Sequence, residues 1–407
     1  MKIVMVGPFA IRPKGTVGVR ILPLARELRA KGHQVSIVLP PYDNRAESGC
    51  TYRIGDIPVH NVRIPNAPSP MTHILTTRRL VSEVRKLAPD LIHVFKPRGD
   101  SGLAAMSLIL QRSIGGRRIP IVIDTDDWEG RGGFYDYWLK NKVYPKYQLD
   151  FACYQEKWLP RHADAVTVAS RTLQTQIWGL GIPSEKVFYV PNGVHDIAPV
   201  GTESNKGTLP KNLGLSATPT VLLYTRFLEY DVEDVITIFG RIRHHVSDAR
   251  LIVIGKGDLG EERKLSQLAQ TAGMGSSIIL TGWVEPEMLP AYLELGDVAI
   301  YPFNDTLLNR AKCPGKLVEL MSLGKAIVAH KVGQIAEYIE HQTSGILIEP
   351  GDHELFAQSV ISLLLDANTR ERIAQNAKSR IWSKFTWNRL VLNVEKAYQV
   401  ACSHDKR

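Results

Sequence analysis

The stretch KCPGKLVELMSLGKAIVAH, residues 312 to 330, places two lysines before a short apolar helix that carries one carboxylate. Lys316 and Glu319 are three residues apart, so they lie on the same face of that helix. Lys312 and Lys316 add positive charge to the helix N-terminus, which favours an anion such as a phosphate. Glu319, one turn further along, can accept hydrogen bonds from sugar hydroxyls. The alternative interpretation is a solvent-exposed ion pair between Lys316 and Glu319.

A second charged group follows a predicted strand in the first half of the chain. VIDTDDWEG carries Asp124, Asp126 and Asp127 at the end of that strand. Buried carboxylates need partners, so such a group favours a functional role over packing alone. Two interpretations stay open: polar contacts with a sugar, which we favour, and a divalent ion bound by Asp124 and Asp126.

Two further candidates follow the first predicted strand of each half. In PFAIRPKGTVGVR, Gly15 and Gly18 precede a helix and let a ligand approach the backbone, although a plain strand-to-helix turn explains them equally well. The spacing is not G-x-G-x-x-G, so a dinucleotide fingerprint is absent. In YTRFLEYD, Arg226 has the side chain best suited to bidentate phosphate binding. A surface pair of Arg226 with Glu229 or Asp231 is the alternative.

Residues 134 to 162, FYDYWLKNKVYPKYQLDFACYQEKWLPRH, combine aromatic residues with lysines. One interpretation is a helix that docks on anionic lipid through snorkelling lysines and interfacial aromatics. Packing of these aromatics on the sheet is the more usual outcome. Peripheral contact with a membrane is therefore an alternative rather than the main prediction.

The composition predicts a cytoplasmic globular protein. A chain of 407 residues exceeds one hydrophobic core, so at least two domains are expected. Its four cysteines lie far apart without a metal-ligand or disulfide pattern, which fits a reducing compartment. The N-terminal stretch lacks the apolar core of a signal peptide, and no apolar run approaches the roughly 18 residues of a membrane span.

The charge balance is basic, with 50 Lys and Arg against 41 Asp and Glu, a formal net charge of +9. This excess suits phosphate-bearing ligands, an anionic membrane surface or nucleic acid. The basic residues are spread along the chain, and no zinc-finger spacing or aromatic RNA-binding signature occurs. Nucleic acid is therefore not an expected partner.

The elements that would position these residues alternate between short apolar strands and amphipathic helices, which predicts parallel α/β sheets covered on both faces. Candidate strands are KIVMVG, QVSIVLP, LIHVF, IPIVID, AVTVAS and KVFYVP, and then TVLLYT, ARLIVIG, SIILTG, VAIYPF, AIVAH and GILIEP. We predict a Rossmann-like domain at 1–200, a linker at 201–219, a second such domain at 220–385, and a final helix at 386–407 that crosses back to the first. Ligands bind beyond the carboxyl ends of such strands, so a cleft between facing domains is the expected site.

Taken together, these stretches resemble the retaining glycosyltransferases of the GT-B fold, in the large family four, "glycosyl transferases group 1". The resemblance covers nearly the whole chain. It rests on LARELRAKGHQV, PDLIHV, HADAVTVAS and VPNGV in the first half, and on TRF, VIGKG, LTGWV and LVELMSLGKAIVAHKVGQIAEYI in the second. KCPGK fits a subset of the family with a K-x-P-x-K loop before its glutamate.

The resemblance implies a nucleoside-diphosphate sugar as substrate, a glycan or lipid-linked acceptor, no metal and no further cofactor. Arg226 would grip the diphosphate with Lys316, Glu319 would bind the ribose, and Asp126 would contact the transferred hexose or orient the acceptor hydroxyl. These implied roles make Asp126, Arg226 and Lys316 the catalytic set. The donor-binding set is Gly15, Gly18, Arg226, Gly255, Trp283, Lys312, Lys316, Leu317 and Glu319.

Three positions depart from the family pattern. Ala311 replaces the first of two glutamates, Asp231 replaces a lysine that follows the arginine, and Asp126 replaces a histidine. Lys312 or Lys316 would supply the charge missing at position 231. The expected reaction is sugar transfer with retention, in cell-surface polysaccharide or glycolipid assembly. The alternatives are a degenerate protein that binds a nucleotide-sugar without turnover and, with no clear acid/base pair to support it, a nucleotide-sugar epimerase.

Overall fold

The structure is a computed structural model that describes residues 1–12, 15–96, 98–112, 118–194, 213, 215 and 218–403. The chain divides into two compact units. Unit 1 comprises Met1–Asn192, Ala311–Cys313 and Trp387–Arg407, and unit 2 comprises Gly193–Arg310 and Pro314–Thr386. The predicted linker, residues 201–219, lies almost wholly outside the described residues.

Unit 1 contains an eight-stranded sheet in the order β3-β4-β2-β1-β5-β6-β7-β8, in which only the β3–β4 pair is antiparallel. The strands are β1 Lys2–Val6, β2 Gln34–Leu39, β3 Thr51–Ile54, β4 Ile57–Asn61, β5 Leu91–Phe95, β6 Ile121–Thr125, β7 Ala165–Val168 and β8 Val187–Tyr189. The helices between them are α1 Leu22–Ala30, α2 Met71–Lys86, α3 Gly99–Arg112, α4 Phe134–Lys140, α5 Lys146–His162 and α6 Arg171–Gly179. A π-helical turn, Val17–Ile21, leads into α1, where Pro23 stands in the first turn.

Unit 2 contains a six-stranded parallel sheet in the order β11-β10-β9-β12-β13-β14. Its strands are β9 Thr220–Tyr224, β10 Arg250–Ile254, β11 Ile278–Gly282, β12 Val298–Tyr301, β13 Ala326–His330 and β14 Ile346–Ile348. Its helices are α7 Val232–His245, α8 Glu261–Thr271, α9 Leu289–Glu294, α10 Leu307–Ala311, α11 Gly315–Ser322, α12 Ile335–Tyr338, α13 His353–Leu365 and α14 Ala367–Lys384. By the division above, the last residue of α10, Ala311, is counted with unit 1.

The last described helix, α15 Trp387–Ser403, packs in unit 1 against α1, β6, β7 and β8. Trp387 and Tyr398 are fully buried there among the residues of the first sheet. The Tyr398 hydroxyl is 2.9 Å from Nδ1 of His93, a buried strand residue whose other ring nitrogen lies 3.1 Å from Thr167 Oγ1. Burial lowers the pKa of His93 to about 3, so this histidine is a neutral core residue.

The two α/β sheets confirm the predicted fold class. Each predicted strand overlaps an observed strand. The β3–β4 hairpin, at the sheet edge, was not predicted. Among the residues that the structure describes, no helix has the length and apolar character needed to cross a bilayer.

Candidate functional site

In unit 2, the end of β9 and the start of α11 bring three side chains together. The Lys316 ammonium lies 3.6 Å from the centre of the Tyr224 ring, and the Tyr224 hydroxyl donates a hydrogen bond to Glu319. Neither Lys316 nor Glu319 is exposed, which contradicts a solvent-exposed ion pair. Tyr224 contacts both of them. The sequence did not predict this role, because a tyrosine at the end of a strand has no local pattern that indicates contact with a distant helix.

The pKa values in this group reflect burial first and then the charges nearby, which are the cations Lys316 and Arg226 and the carboxylates Glu319 and Glu229. Burial, and then the nearby Arg226 guanidinium, lower the pKa of Lys316 to about 8, against the opposing effect of Glu319. Burial raises the pKa of Glu319, while Lys316 and the Tyr224 hydrogen bond act in the opposite direction. Burial and Glu319 together raise the pKa of Tyr224. Two cations that repel each other at the edge of a sheet are well placed for an anion.

The α11 N-terminus adds backbone donors to this group. Pro314 precedes the helix, no side chain caps it, and Pro314 O accepts hydrogen bonds from the N–H groups of Leu317 and Val318. The N–H groups of Gly315 and Lys316 lie ahead of these in the first turn, where an anion would be bound. The Leu317 side chain is fully buried, so it serves the core rather than a ligand.

Two other predicted donor residues lie at the ends of β10 and β11. Gly255 has a φ of 126°, and a Cβ there would lie 1.9 Å from the Thr225 carbonyl oxygen. Its N–H donates to the Gly282 carbonyl at 3.0 Å. The protein backbone itself therefore requires glycine at 255. Trp283, which follows Gly282 at the end of β11, is 65% exposed, so its ring is accessible to a ligand.

In unit 1, Lys96 after β5 holds the acidic stretch that follows β6. Its ammonium contacts Asp127 and lies 3.2 Å from Glu129 Oε1 and 3.8 Å from Asp126 Oδ1. Arg98 Nη1 donates to Glu129 Oε2 at 2.5 Å. A small pocket is lined by these groups, and its residues are Lys96, Arg98, Thr125, Asp126, Asp127, Glu129, Ala152 and Glu156.

The lining of this pocket contains two cations and four carboxylates, and burial is the first cause of the raised pKa values among those carboxylates. Burial raises the pKa of Asp126 to about 6, with Lys96 opposing and Asp127 adding to the shift. Burial also holds the pKa of Glu156 well above its ordinary value. Among the residues that the structure describes, no hydrogen-bond donor meets the buried atoms Asp126 Oδ1 and Glu156 Oε2. These oxygens can accept hydrogen bonds from ligand hydroxyls.

Asp124, at the end of β6, has a structural role. Arg20 donates to both of its carboxylate oxygens, at 2.7 and 2.6 Å, and Thr167 donates at 2.6 Å. Both members of the Arg20–Asp124 pair are buried. Arg20 thus already neutralises Asp124, which disfavours a divalent ion bound by Asp124 and Asp126. No group of three His, Cys, Asp or Glu residues suited to a metal ion occurs in the described part of the chain.

The segment Ala311–Cys313 is anchored within unit 1, although it lies immediately before α11. Ser170 Oγ donates to the Ala311 carbonyl at 2.6 Å, and Asn192 Nδ2 donates to the Cys313 carbonyl at 2.8 Å. The buried Lys312 places its ammonium 5.5 Å from the centre of the Phe134 ring. By the division into units, Lys312 is counted with unit 1 and Lys316 with unit 2.

Gly15 lies just before the π-helical turn that precedes α1, and Gly18 lies within that turn. Among the described residues, a Cβ at Gly15 would meet Val19 Cγ2 at an ordinary 3.7 Å, and a Cβ at Gly18 would meet nothing within 4 Å. The protein itself thus leaves room for a side chain at both positions. If glycine is required there, the requirement comes from a ligand that approaches the backbone.

Comparison with known proteins gives two domain matches. Residues 15–193 match the family "Glycosyl transferase 4-like domain", and residues 205–380 match the family "Glycosyl transferases group 1".

Among curated relatives, the chain is 27% identical to a lipopolysaccharide 1,2-N-acetylglucosaminetransferase of Salmonella typhimurium, over 58% of this chain and 62% of that one. It is 26% identical to a GDP-mannose-dependent alpha-(1-6)-phosphatidylinositol monomannoside mannosyltransferase of Mycobacterium tuberculosis, over 55% of this chain and 58% of that one. The matched region thus spans about three fifths of the length of these relatives.

Among solved structures, Anabaena HepE in complex with UDP and glucose superposes with a TM-score of 0.68 at 20% identity, over 100% of both chains. The catalytic domain of Arabidopsis thaliana starch synthase IV bound to ADP and acarbose gives a TM-score of 0.76 at 16% identity, over 99% of both. At these identities the similarity establishes the fold, which is that of two Rossmann-like domains in series.

Proposed function

We propose that this chain, whose two halves match the families "Glycosyl transferase 4-like domain" and "Glycosyl transferases group 1", transfers a sugar from a nucleoside diphosphate to an acceptor hydroxyl with retention at the anomeric carbon. The observation that carries the proposal is the group of Tyr224, Arg226, Lys316 and Glu319 in unit 2. It combines two cations, a helix N-terminus and a half-buried carboxylate.

In this proposal the diphosphate binds Arg226, Lys316 and the first N–H groups of α11. The bond between the anomeric carbon and the β-phosphate oxygen breaks, the new bond to the acceptor oxygen forms on the same face of the sugar, and the acceptor's hydroxyl proton passes to the departing diphosphate oxygen. Catalysis stabilises the negative charge that develops on the departing diphosphate, and electrostatic stabilisation of this kind usually contributes most to an enzyme's rate enhancement. The proposal assigns the stabilisation of that negative charge to protein groups rather than to a metal ion.

Glu319 binds the ribose of the donor, with Tyr224 fixing the carboxylate. The exposed ring of Trp283, directly after β11, stacks on the nucleotide base in this proposal. The base itself stays open, since the relatives and neighbours include proteins named for GDP-mannose and complexes with UDP and ADP.

The acceptor hydroxyl binds the unit 1 pocket, where Asp126 accepts its hydrogen bond. A glycan or lipid-linked acceptor in cell-surface polysaccharide or glycolipid assembly agrees with the lipopolysaccharide and phosphatidylinositol mannoside names of two relatives. The substitutions Ala311 and Asp231 support the alternative of a degenerate protein that binds a nucleotide-sugar without turnover. Lys316 weakens the case for a degenerate protein, because it supplies a cation close to Arg226 in place of the lysine missing at position 231.

The test is a panel of UDP-, GDP- and ADP-sugars with the purified protein, read by thermal shift and by donor hydrolysis. Ligand at 100 times its Kd stabilises the folded state by about 2.7 kcal/mol, which a thermal shift detects readily. One donor should stabilise the wild type and the exposed-lysine control Lys331→Ala equally, and Lys316→Ala and Glu319→Ala much less.

Donor binding accompanied by slow donor hydrolysis would establish turnover. NMR of the anomeric proton in a product of sugar transfer would then establish the stereochemistry. Binding without hydrolysis or transfer to any offered acceptor would favour the degenerate protein. No shift with any nucleotide-sugar at millimolar concentration would overturn the proposed donor site.

A further inference from the structure

The aromatic residues of 134 to 162 divide into two groups with different surroundings. Those nearest α4 pack together: Phe134 stacks on Trp138 with ring centres 5.4 Å apart, and Tyr144 meets Trp138 edge-on. Tyr135 packs with Leu149 and Cys153. This inner group is the packing that the sequence predicted as the usual outcome.

The second group lies on the outer face of α5. Tyr147, Phe151 and Tyr154 are 67%, 37% and 50% exposed, although all three are large aromatics. With Trp158 they follow a spacing of four, three and four residues, which makes one continuous stripe along the helix. The Phe151 and Tyr154 rings stack with centres 6.4 Å apart. Leu139 and Val143, also exposed, precede the stripe in the chain.

The charged side chains around this stripe are mostly basic. Exposed residues between 136 and 161 include Lys140, Lys142, Lys146, Lys157 and Arg161, against two exposed acids, Asp136 and Asp150. Glu156 is buried on the opposite face of α5, and the raised pKa of its carboxyl further reduces negative charge in this region. The whole chain carries a formal charge of +9.

We propose that the outer face of α4–α5 docks on an anionic lipid bilayer. Tyrosine, tryptophan and phenylalanine insert their rings at the boundary between head groups and acyl chains, while flanking lysines keep their charge at the phosphates. The charge of the face matches an anionic surface, and this argument favours lipid over a neutral protein partner. The inference concerns unit 1 alone and does not depend on the proposed transferase activity.

The experiment is co-sedimentation of the full chain, without nucleotide, with vesicles of phosphatidylcholine alone or with about one third phosphatidylglycerol. We expect binding to the anionic vesicles and little to the neutral ones, with a loss of binding as NaCl rises, because screening weakens each lysine contact. Lys142→Glu with Lys146→Glu should weaken binding at least about tenfold. Tyr147→Ser with Phe151→Ser should weaken it by a similar factor and leave the salt dependence in place.

Matched controls come from unit 2, where Leu365→Ser removes another exposed apolar side chain and Lys331→Glu reverses another exposed charge. Circular dichroism confirms that each variant is folded. Equal binding to neutral and anionic vesicles would overturn the proposal, as would stripe variants that bind like the controls. A concentration-dependent dimer that the stripe substitutions abolish would instead assign this face to a second copy of the chain.

Discussion

Two charged groups of this molecule, one in each unit, have pKa values shifted in opposite directions. In unit 1, the pocket around Lys96 contains more carboxylates than cations, and the pKa of Asp126 rises to about 6. In unit 2, Lys316 lies beside a second cation, Arg226, and its pKa falls to about 8. Burial is the largest cause in both cases. We therefore expect each group to take a different ligand: an anion beside the two cations of unit 2, and hydrogen-bond donors at the carboxylates of unit 1.

The largest expected effect separates Asp124 from Asp126. Asp124→Asn should lower the free energy of unfolding by about 3–5 kcal/mol, because it leaves the buried Arg20 guanidinium without its charged partner. The same change at Asp126 should raise it by about 1–3 kcal/mol at pH 8. The folded pKa of Asp126 lies above its ordinary value, so stability falls as pH rises from about 4 to 6, and asparagine avoids that loss.

Urea denaturation at pH 8 and at pH 4.5 measures both variants. The gain from Asp126→Asn should shrink at pH 4.5, where the wild-type carboxyl is largely protonated. If Asp126→Asn destabilised the protein as much as Asp124→Asn, the carboxylate of Asp126 would be a structural partner of Lys96 rather than a strained group available to a substrate.

The second effect concerns activity and tests the unit 2 group. Lys316→Ala should lower kcat/KM for the identified donor by about 100- to 1,000-fold, because the developing diphosphate charge loses a preorganised cation. Lys316→Arg should retain more activity than alanine, since it keeps the charge. Steady-state kinetics with Lys331→Ala as the control measure this. A loss below threefold would move the diphosphate away from α11.

The third and smallest effect is a pH profile that separates the two units. Below pH 6, activity should fall about tenfold per unit as Asp126 is protonated, and above pH 8 it should fall similarly as Lys316 loses its proton. Asp126→Asn should have low activity with a flat acid limb, and Lys316→Arg a flat alkaline limb. UDP or GDP affinity, measured by calorimetry, should show only the alkaline limb. An acid limb that persists in Asp126→Asn would assign it to another group.

Much of the fold could be predicted from sequence because the parallel strands are buried on both faces and read as continuous Val and Ile runs. The β3–β4 hairpin was missed because its strands, TYRI and IPVHN, are short and polar, with a proline at the sheet edge. Gly55 and Asp56 between them are a hairpin signal that could have indicated it.

The site was predictable only where one element carries it. Lys316 and Glu319 share a helix, so their spacing placed them on one face. The contacts of Tyr224 with α11, of Lys96 with the residues after β6, and of Arg20 with Asp124 join segments far apart in sequence. Such contacts leave no local periodicity. For a related reason, spacing cannot show that Ser170 and Asn192 hold the backbone on either side of Lys312 in unit 1.

Helix α15 completes the core of unit 1, and this affects how the protein is synthesised. The ribosome makes Trp387 and Tyr398 roughly 200 residues after the last strand of the first sheet, which at 5–20 residues per second is a delay of about 10–40 s. During translation the sheet surface that α15 covers stays open while unit 2 is made. The nascent chain is therefore a natural client for chaperones, and removal of α15 would leave that apolar surface open to aggregation for the life of the protein.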